Sequence, residues 1–248
     1  MRIIYIIWLR QLKRYFRARA RIIGSLGQPL LFLLAIGFGF GPIFQKAGQG
    51  NYIQFITPGI IAMSILFTSL FSGTEVIWEK QFGFLKETLV APVSRSLIMI
   101  GRTLGSATVA SLQGIIVLAI SSAIGFRIQN FALLPVSLVF IFLISLFFTS
   151  LGTAIGSMLE DMQGFQLIMN FLVMPLFFLS GSLFPLDNAP KALKIIAAID
   201  PLTYGVDGLR GTLINMTQYS LSIDLLVLSV LTIIFVAIGS YLFSKIQI

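Results

Sequence analysis

The sequence predicts an all-helical integral membrane protein, with an N-terminal interfacial helix, six membrane-spanning helices and a re-entrant outer segment between the fifth and sixth spans. Three observations predict it. The 248 residues are 57% hydrophobic and only 10% charged, too little polar surface to coat a soluble domain of that length. Six apolar runs approach or exceed the roughly 20 residues that cross a bilayer core. The basic residues also fall unevenly on the two sides of those runs, as membrane topology requires.

The first element is residues 3–21, which read as an amphipathic helix. At the helical period Tyr5, Trp8, Leu9, Leu12 and Phe16 share one side, and Arg10, Lys13, Arg14, Arg17 and Arg21 share the other. Such a helix suits the interface plane, its rings among acyl chains and its cations at lipid headgroups. The alternative is a plain extension of the first span. The spans follow at about 22–44, 53–74, 103–125, 131–157, 165–184 and 221–243.

With the N-terminus inside, twelve of the 17 basic residues lie on the inner side; Lys46, Arg127, Lys191, Lys194 and Arg210 lie outside. This bias predicts a multi-pass cell-membrane protein with both termini cytoplasmic. The inner segment of about 75–102 carries Glu75, Glu79, Lys80, Lys86, Glu87 and Arg95, interleaved with Phe82, Phe84, Leu85 and Leu89. A short helix with apolar side chains and flanking carboxylates fits a groove on a cytoplasmic partner; a solvated loop is the simpler reading. Ala91-Pro92 would end it, since the residue before proline disfavours helix.

The outer segment of about 185–220 is broken by Pro185, Pro190 and Pro201. Within it 189–199 reads as a short helix, with Leu193, Ile196 and Ala197 on one face, dipping toward the membrane. With no internal repeat or linker, residues 1–248 read as a single transmembrane domain.

The composition excludes much chemistry. The chain has no cysteine and no histidine, which removes thiolate sites and the commonest proton carrier and metal ligand. The spans hold no carboxylate pair, no nucleophile triad and no metal cluster, and no phosphate-binding loop is present. Asp224, Glu160 and Asp161 sit at span edges, where charge is cheap. Arg102 is placed to snorkel toward the surface. The expectation is no catalytic residue, no bound metal and no nucleic-acid partner, with energy drawn from another protein unless the chain is a passive pore.

Two stretches then carry a resemblance. Phe82-Gly-Phe-Leu-Lys-Glu-Thr-Leu-Val-Ala-Pro-Val-Ser-Arg95 resembles the cytoplasmic loop of the permease subunits of type-two ABC exporters, a group that includes the daunorubicin-resistance permeases and polysaccharide exporters. Met174-Pro-Leu-Phe-Phe-Leu-Ser-Gly-Ser-Leu-Phe-Pro-Leu-Asp-Asn-Ala-Pro190, continued by Asp200-Pro-Leu-Thr-Tyr-Gly-Val-Asp-Gly-Leu-Arg210, is similar to that family's fifth span and outer re-entrant region. The resemblance implies two copies of the permease and two separately encoded nucleotide-binding ATPase subunits, which would hold ATP and Mg; this chain itself binds no cofactor.

By the same resemblance Glu75, Glu79, Phe82, Gly83, Leu85, Glu87, Pro92 and Arg95 fall in the region that couples to the ATPase. A cavity between the second and fifth spans would offer Met63, Phe67 and Phe71 against Phe171, Met174, Phe177 and Phe178. Such a lining suits a hydrophobic or amphipathic substrate; these side chains equally suit lipid or helix packing. The pairs Gly37/Gly41, Gly101/Gly105 and Gly152/Gly156 permit close helix approach, within the chain or between two copies, and Pro175 would kink the fifth span. The expected function is the permease subunit of an ATP-driven exporter, not itself an enzyme. The alternatives are a permease for polysaccharide or lipid-linked glycan, and a membrane scaffold without transport.

Overall fold

The structure, a computed structural model, describes residues 2–46, 50–84, 93–186 and 189–246, and of Arg21 the backbone alone. All regular structure among them is helical. In chain order the helices are α1 (Arg2–Arg17), α2 (Arg19–Lys46), α3 (Tyr52–Phe71), α4 (Thr74–Gln81), α5 (Arg95–Ile124), α6 (Leu134–Met158), α7 (Met162–Leu179), α8 (Lys191–Ile199), α9 (Pro201–Ile214) and α10 (Leu221–Ser244), with a 3-10 turn Phe131–Leu133 before α6. Among the described residues six segments are long and apolar enough to cross a membrane: α2, α3 with α4, α5, α6, α7 and α10.

Two of the spans start at a side-chain cap. Asn51 accepts from the Ile53 amide at 2.9 Å and starts α3; Asp161 accepts from the Gly164 amide and starts α7. Each side chain takes up an amide that the first helical turn leaves unpaired. α3 is the axis of the bundle. Its residues from Phe55 through Leu66 are buried, and it packs against α2, α5, α6 and α9.

Where α3 gives way to α4, glycine permits backbone-to-backbone contact with α6. A Cβ on Gly73 would stand 2.1 Å from the Gly152 carbonyl oxygen, and one on Gly152 would stand 2.4 Å from the Leu70 oxygen. The Gly152/Gly156 pair thus works inside the chain. So does Gly101/Gly105, on which the backbone of α1 rests. Gly41, by contrast, has open space around it.

The observed elements correct several boundaries. The 3–21 helix divides at Ala18, with α2 starting at Arg19. Of the 75–102 segment the described residues are mostly helix, α4 at one side and the start of α5 at the other, and Ser94 in extended conformation precedes the start of α5 at Arg95. α8 matches the short outer helix. α9 was not anticipated from the sequence and is buried for most of its length. Asp200 caps it by accepting from Leu202 N at 2.8 Å, with Pro201 in the first helical turn.

α9 packs on α3, α6 and α10, Gly205 facing Ile144 and Gly208 facing the Phe140 ring. Arg210 ties it to α3 and the α7–α8 connection, its guanidinium 4.0 Å above the Phe55 ring and 3.1 Å from the Gly181 carbonyl. Asp207 accepts from the Gln218 and Tyr219 amides at 2.8 and 2.7 Å, stapling the turn into α10.

Two predictions follow from this packing. Gly152→Ala must separate α3 from α6, and overpacking of that kind costs about 1–3 kcal/mol; the thermal midpoint in detergent should fall, while Gly41→Ala leaves it unchanged. Burial also pushes the Asp200 carboxyl up to about 7, against the opposing hydrogen bond from Leu202. The folded chain therefore keeps a proton that the unfolded chain releases, and stability falls as pH rises from about 4 to about 7. Asp200→Asn keeps the cap without titrating, so it should flatten that slope and be the more stable form at pH 8.

Candidate functional site: an ion-paired junction at one end of the bundle

α1, α4, the start of α5 and the ends of α6 and α10 gather at one end of the bundle. α4 has three working faces. One carries Glu75 and Glu79, a helical turn apart and therefore aligned. A second buries Val76 and Ile77. The third leaves Trp78 and Phe82 exposed, at 54% and 60% of their surface, their rings 5.0 Å apart. Gly83, at φ +77, turns the chain sharply beyond them, and Phe84 is exposed as well.

The carboxylates face inward. Glu79 pairs with Arg102 of α5 and, at 3.2 Å, with Arg10 of α1. Glu75 pairs with Arg14 of α1 at 3.5 Å. Arg102 is 4% exposed and Glu79 13%. A guanidinium removed from water to that degree is tolerated only beside an opposite charge. Arg102 therefore does not snorkel to the surface, as the sequence suggested; α4 brings its counter-charge to it.

Lys80 performs a different task on the same helix. Its ammonium donates to the carbonyls of Ser157 at 2.5 Å and Leu159 at 3.1 Å, capping the negative end of α6. Gln81 donates to the Glu160 carbonyl at 3.1 Å. α4 is thereby fastened to α1, α5 and α6 at once. Arg95, at the start of α5, donates to the Ser244 and Ile246 carbonyls at 2.9 and 2.7 Å, so it anchors the end of α10 and stands apart from the glutamates.

The expected site residues thus separate. Glu75, Glu79, Phe82 and Gly83 share one junction and Arg95 holds another; Leu85, Glu87 and Pro92 lie outside the described residues. Of the cations assigned to lipid headgroups, Arg10 and Arg14 belong to the junction, Lys13 and Arg17 are exposed, and the Arg21 side chain lies outside the description. α1 docks on α5 through Trp8, which donates to Thr108 at 3.0 Å, and Tyr15, which donates to Gln113 at 2.9 Å. Tyr5 and Phe16 remain exposed. Sequence places Lys80 among the charges of this segment and Arg102 at its edge but assigns no contact to them or to Trp78; the i, i+4 spacing of Glu75 and Glu79 is the available signal that a cationic partner faces α4.

The residues expected along a substrate path also divide. Met63 and Phe177 are buried in the core of this chain. Phe67 and Phe71 are half-buried and parallel, with ring centroids 6.2 Å apart. Phe171 (82% exposed), Met174 and Phe178 form an open stripe on α7, continued by exposed Gln163, Gln166 and Asn170. Among the described residues no group of three or more carboxylates could hold a metal ion.

The junction predicts a measurable coupling. Glu79→Leu strands the buried Arg102 charge and should cost about 3–5 kcal/mol, whereas the same change combined with Arg102→Met should recover much of that loss. A double-mutant cycle on thermal stability in detergent checks it.

Comparison with known proteins places this architecture. The family described as the ABC-2 type transporter matches residues 2–214. The transport permease ycf38 of Cyanophora paradoxa is 30% identical over 243 residues, covering 91% of this chain and 82% of that protein. Nodulation protein J of Rhizobium leguminosarum bv. viciae is 27% identical over 212 residues, covering 84% and 81%, and ycf38 of Pyropia yezoensis 28% identical over 207 residues, covering 81% and 70%. A multi-pass helical bundle with these matches across nearly its whole length belongs to the ABC-2 type transporter family of membrane permeases.

Proposed function

We propose that this chain is the permease subunit of an ATP-driven exporter in the cell membrane, moving a hydrophobic or amphipathic substrate outward, with α1 and α4 on the cytoplasmic side. One observation carries the reading. α4 and its C-cap residue expose Trp78 and Phe82, while the other faces of the helix are held to α1, α5 and α6 by charged side chains. An exposed aromatic tip on a rigidly held helix suits docking to an ATPase subunit, since aromatic anchors in a partner's groove dominate such interfaces. Force applied there would move α1, α4 and the start of α5 as one body.

ATP and Mg belong to that ATPase partner. The excess of basic residues at the α1 end supports cytoplasmic termini, and exposed Tyr5 and Phe16 on α1 suit contact with lipid. α7 supports a paired arrangement. Gln163, Gln166 and Asn170 are exposed on a membrane-spanning helix, where amides facing hydrocarbon are costly. A second copy of the chain, with a polar path between the two, would cover them.

The same amides favour a second reading, export of a glycan or lipid-linked glycan, whose hydroxyls they would hydrogen-bond. ATPase stimulation separates the two: the first reading expects hydrophobic or amphipathic small molecules to stimulate, the second lipid-linked saccharides.

The docking claim has its own test. Phe82→Asp should weaken binding of the co-purifying ATPase at least about tenfold, read as subunit retention in mild detergent and as loss of transport-coupled ATP hydrolysis. Phe131→Ser, exposed at the opposite end, should change neither. Full retention in Phe82→Asp would refute docking at the α4 tip.

A further inference from the structure

A cavity of about 390 Å³ opens beside the junction, walled by α1, α2, α3, α4 and α5. Its lining is mixed. Phe67, Phe71 and Val109 form the apolar part, and Arg14 and Glu75 form the charged part. The amides of Gln11 and Gln28 and the hydroxyl of Thr68 also line it. Gln11 is 4% exposed, yet its amide nitrogen meets no acceptor. A buried N–H without a partner is costly, so its place on the cavity wall marks where a ligand acceptor belongs.

The charges specify the ligand further. Arg14 and Glu75 form an ion pair at 3.5 Å, so the cavity wall presents a positive and a negative charge side by side. A guanidinium recognises a phosphate through paired N–H donors, and a carboxylate recognises an ammonium that still carries protons. Paired charges, amides and parallel phenyl rings together offer partners for the zwitterionic headgroup, the ester and the acyl chain of a membrane lipid. We infer that this cavity binds the headgroup of an aminophospholipid from the surrounding bilayer, with Arg14 on the phosphate, Glu75 on the ammonium and Gln11 donating to an ester carbonyl. The site stands whether or not the lipid is itself transported.

The two charges make the preference testable. Phosphatidylcholine offers the phosphate but no ammonium N–H, and phosphatidylglycerol offers the phosphate without a cation. Native mass spectrometry of the delipidated full chain, titrated with each of the three lipids, should show one phosphatidylethanolamine retained at least about tenfold more tightly than either other lipid. Gln28→Trp fills the cavity from an exposed position on α2 and should abolish the preference, and Gln11→Leu should reduce it. Equal retention of the three lipids, or a preference that persists in Gln28→Trp, would overturn the assignment.

Discussion

The structure depends on one buried charge. Arg102 lies within the third spanning helix, almost out of reach of water, and its guanidinium cannot remain there alone at acceptable cost. Glu79 answers it from α4, and Arg10 shares the same carboxylate from α1. The requirement to pair that charge therefore decides where two other elements sit. Hydrophobic packing alone would hold α1 and α4 to the bundle, but it would tolerate sliding; a shared carboxylate between two guanidinium groups fixes register and direction.

Glycine supplies the complementary constraint. Gly73 and Gly152 bring the backbones of the α3–α4 turn and α6 into contact, so the glutamates of α4 arrive at a fixed height. Lys80 then caps α6 from the same helix. On the proposed reading this rigidity is the point of the arrangement: a force at Trp78 and Phe82 is carried into three spans without being lost in a flexible loop. The cavity beside the junction shares Arg14 and Glu75 with it, so lipid occupancy and junction geometry are physically linked.

The class of fold was legible because bilayer thickness imposes a length that apolar runs display directly, and six of them appear. The family was legible in residues 82–95 and 174–210, where the resemblance agrees with the match over 2–214. α9 was hidden by Gly205, Gly208 and Gly211, which weaken helix propensity but are what permits its close seating; the Asp200-Pro201 start was the readable sign. The fate of Arg102 was not legible, since snorkelling and pairing have the same local sequence and only the fold brings Glu79 across. Arg10 and Arg14 fell on the basic face as expected, but a basic face cannot by itself tell lipid phosphate from a carboxylate on a neighbouring helix.

The central claim is that α1 and α4 move together. The chain contains no cysteine, so spin labels can be placed at Phe16 on α1, Gln81 on α4 and Gln163 on α7 in the complex with its ATPase. Pulsed electron paramagnetic resonance distances would be compared without nucleotide and with ATP trapped. The account predicts an unchanged Phe16–Gln81 distance and a shifted Phe16–Gln163 distance. A Phe16–Gln81 distance that changes with nucleotide would show that the ion-paired junction opens, and would contradict it.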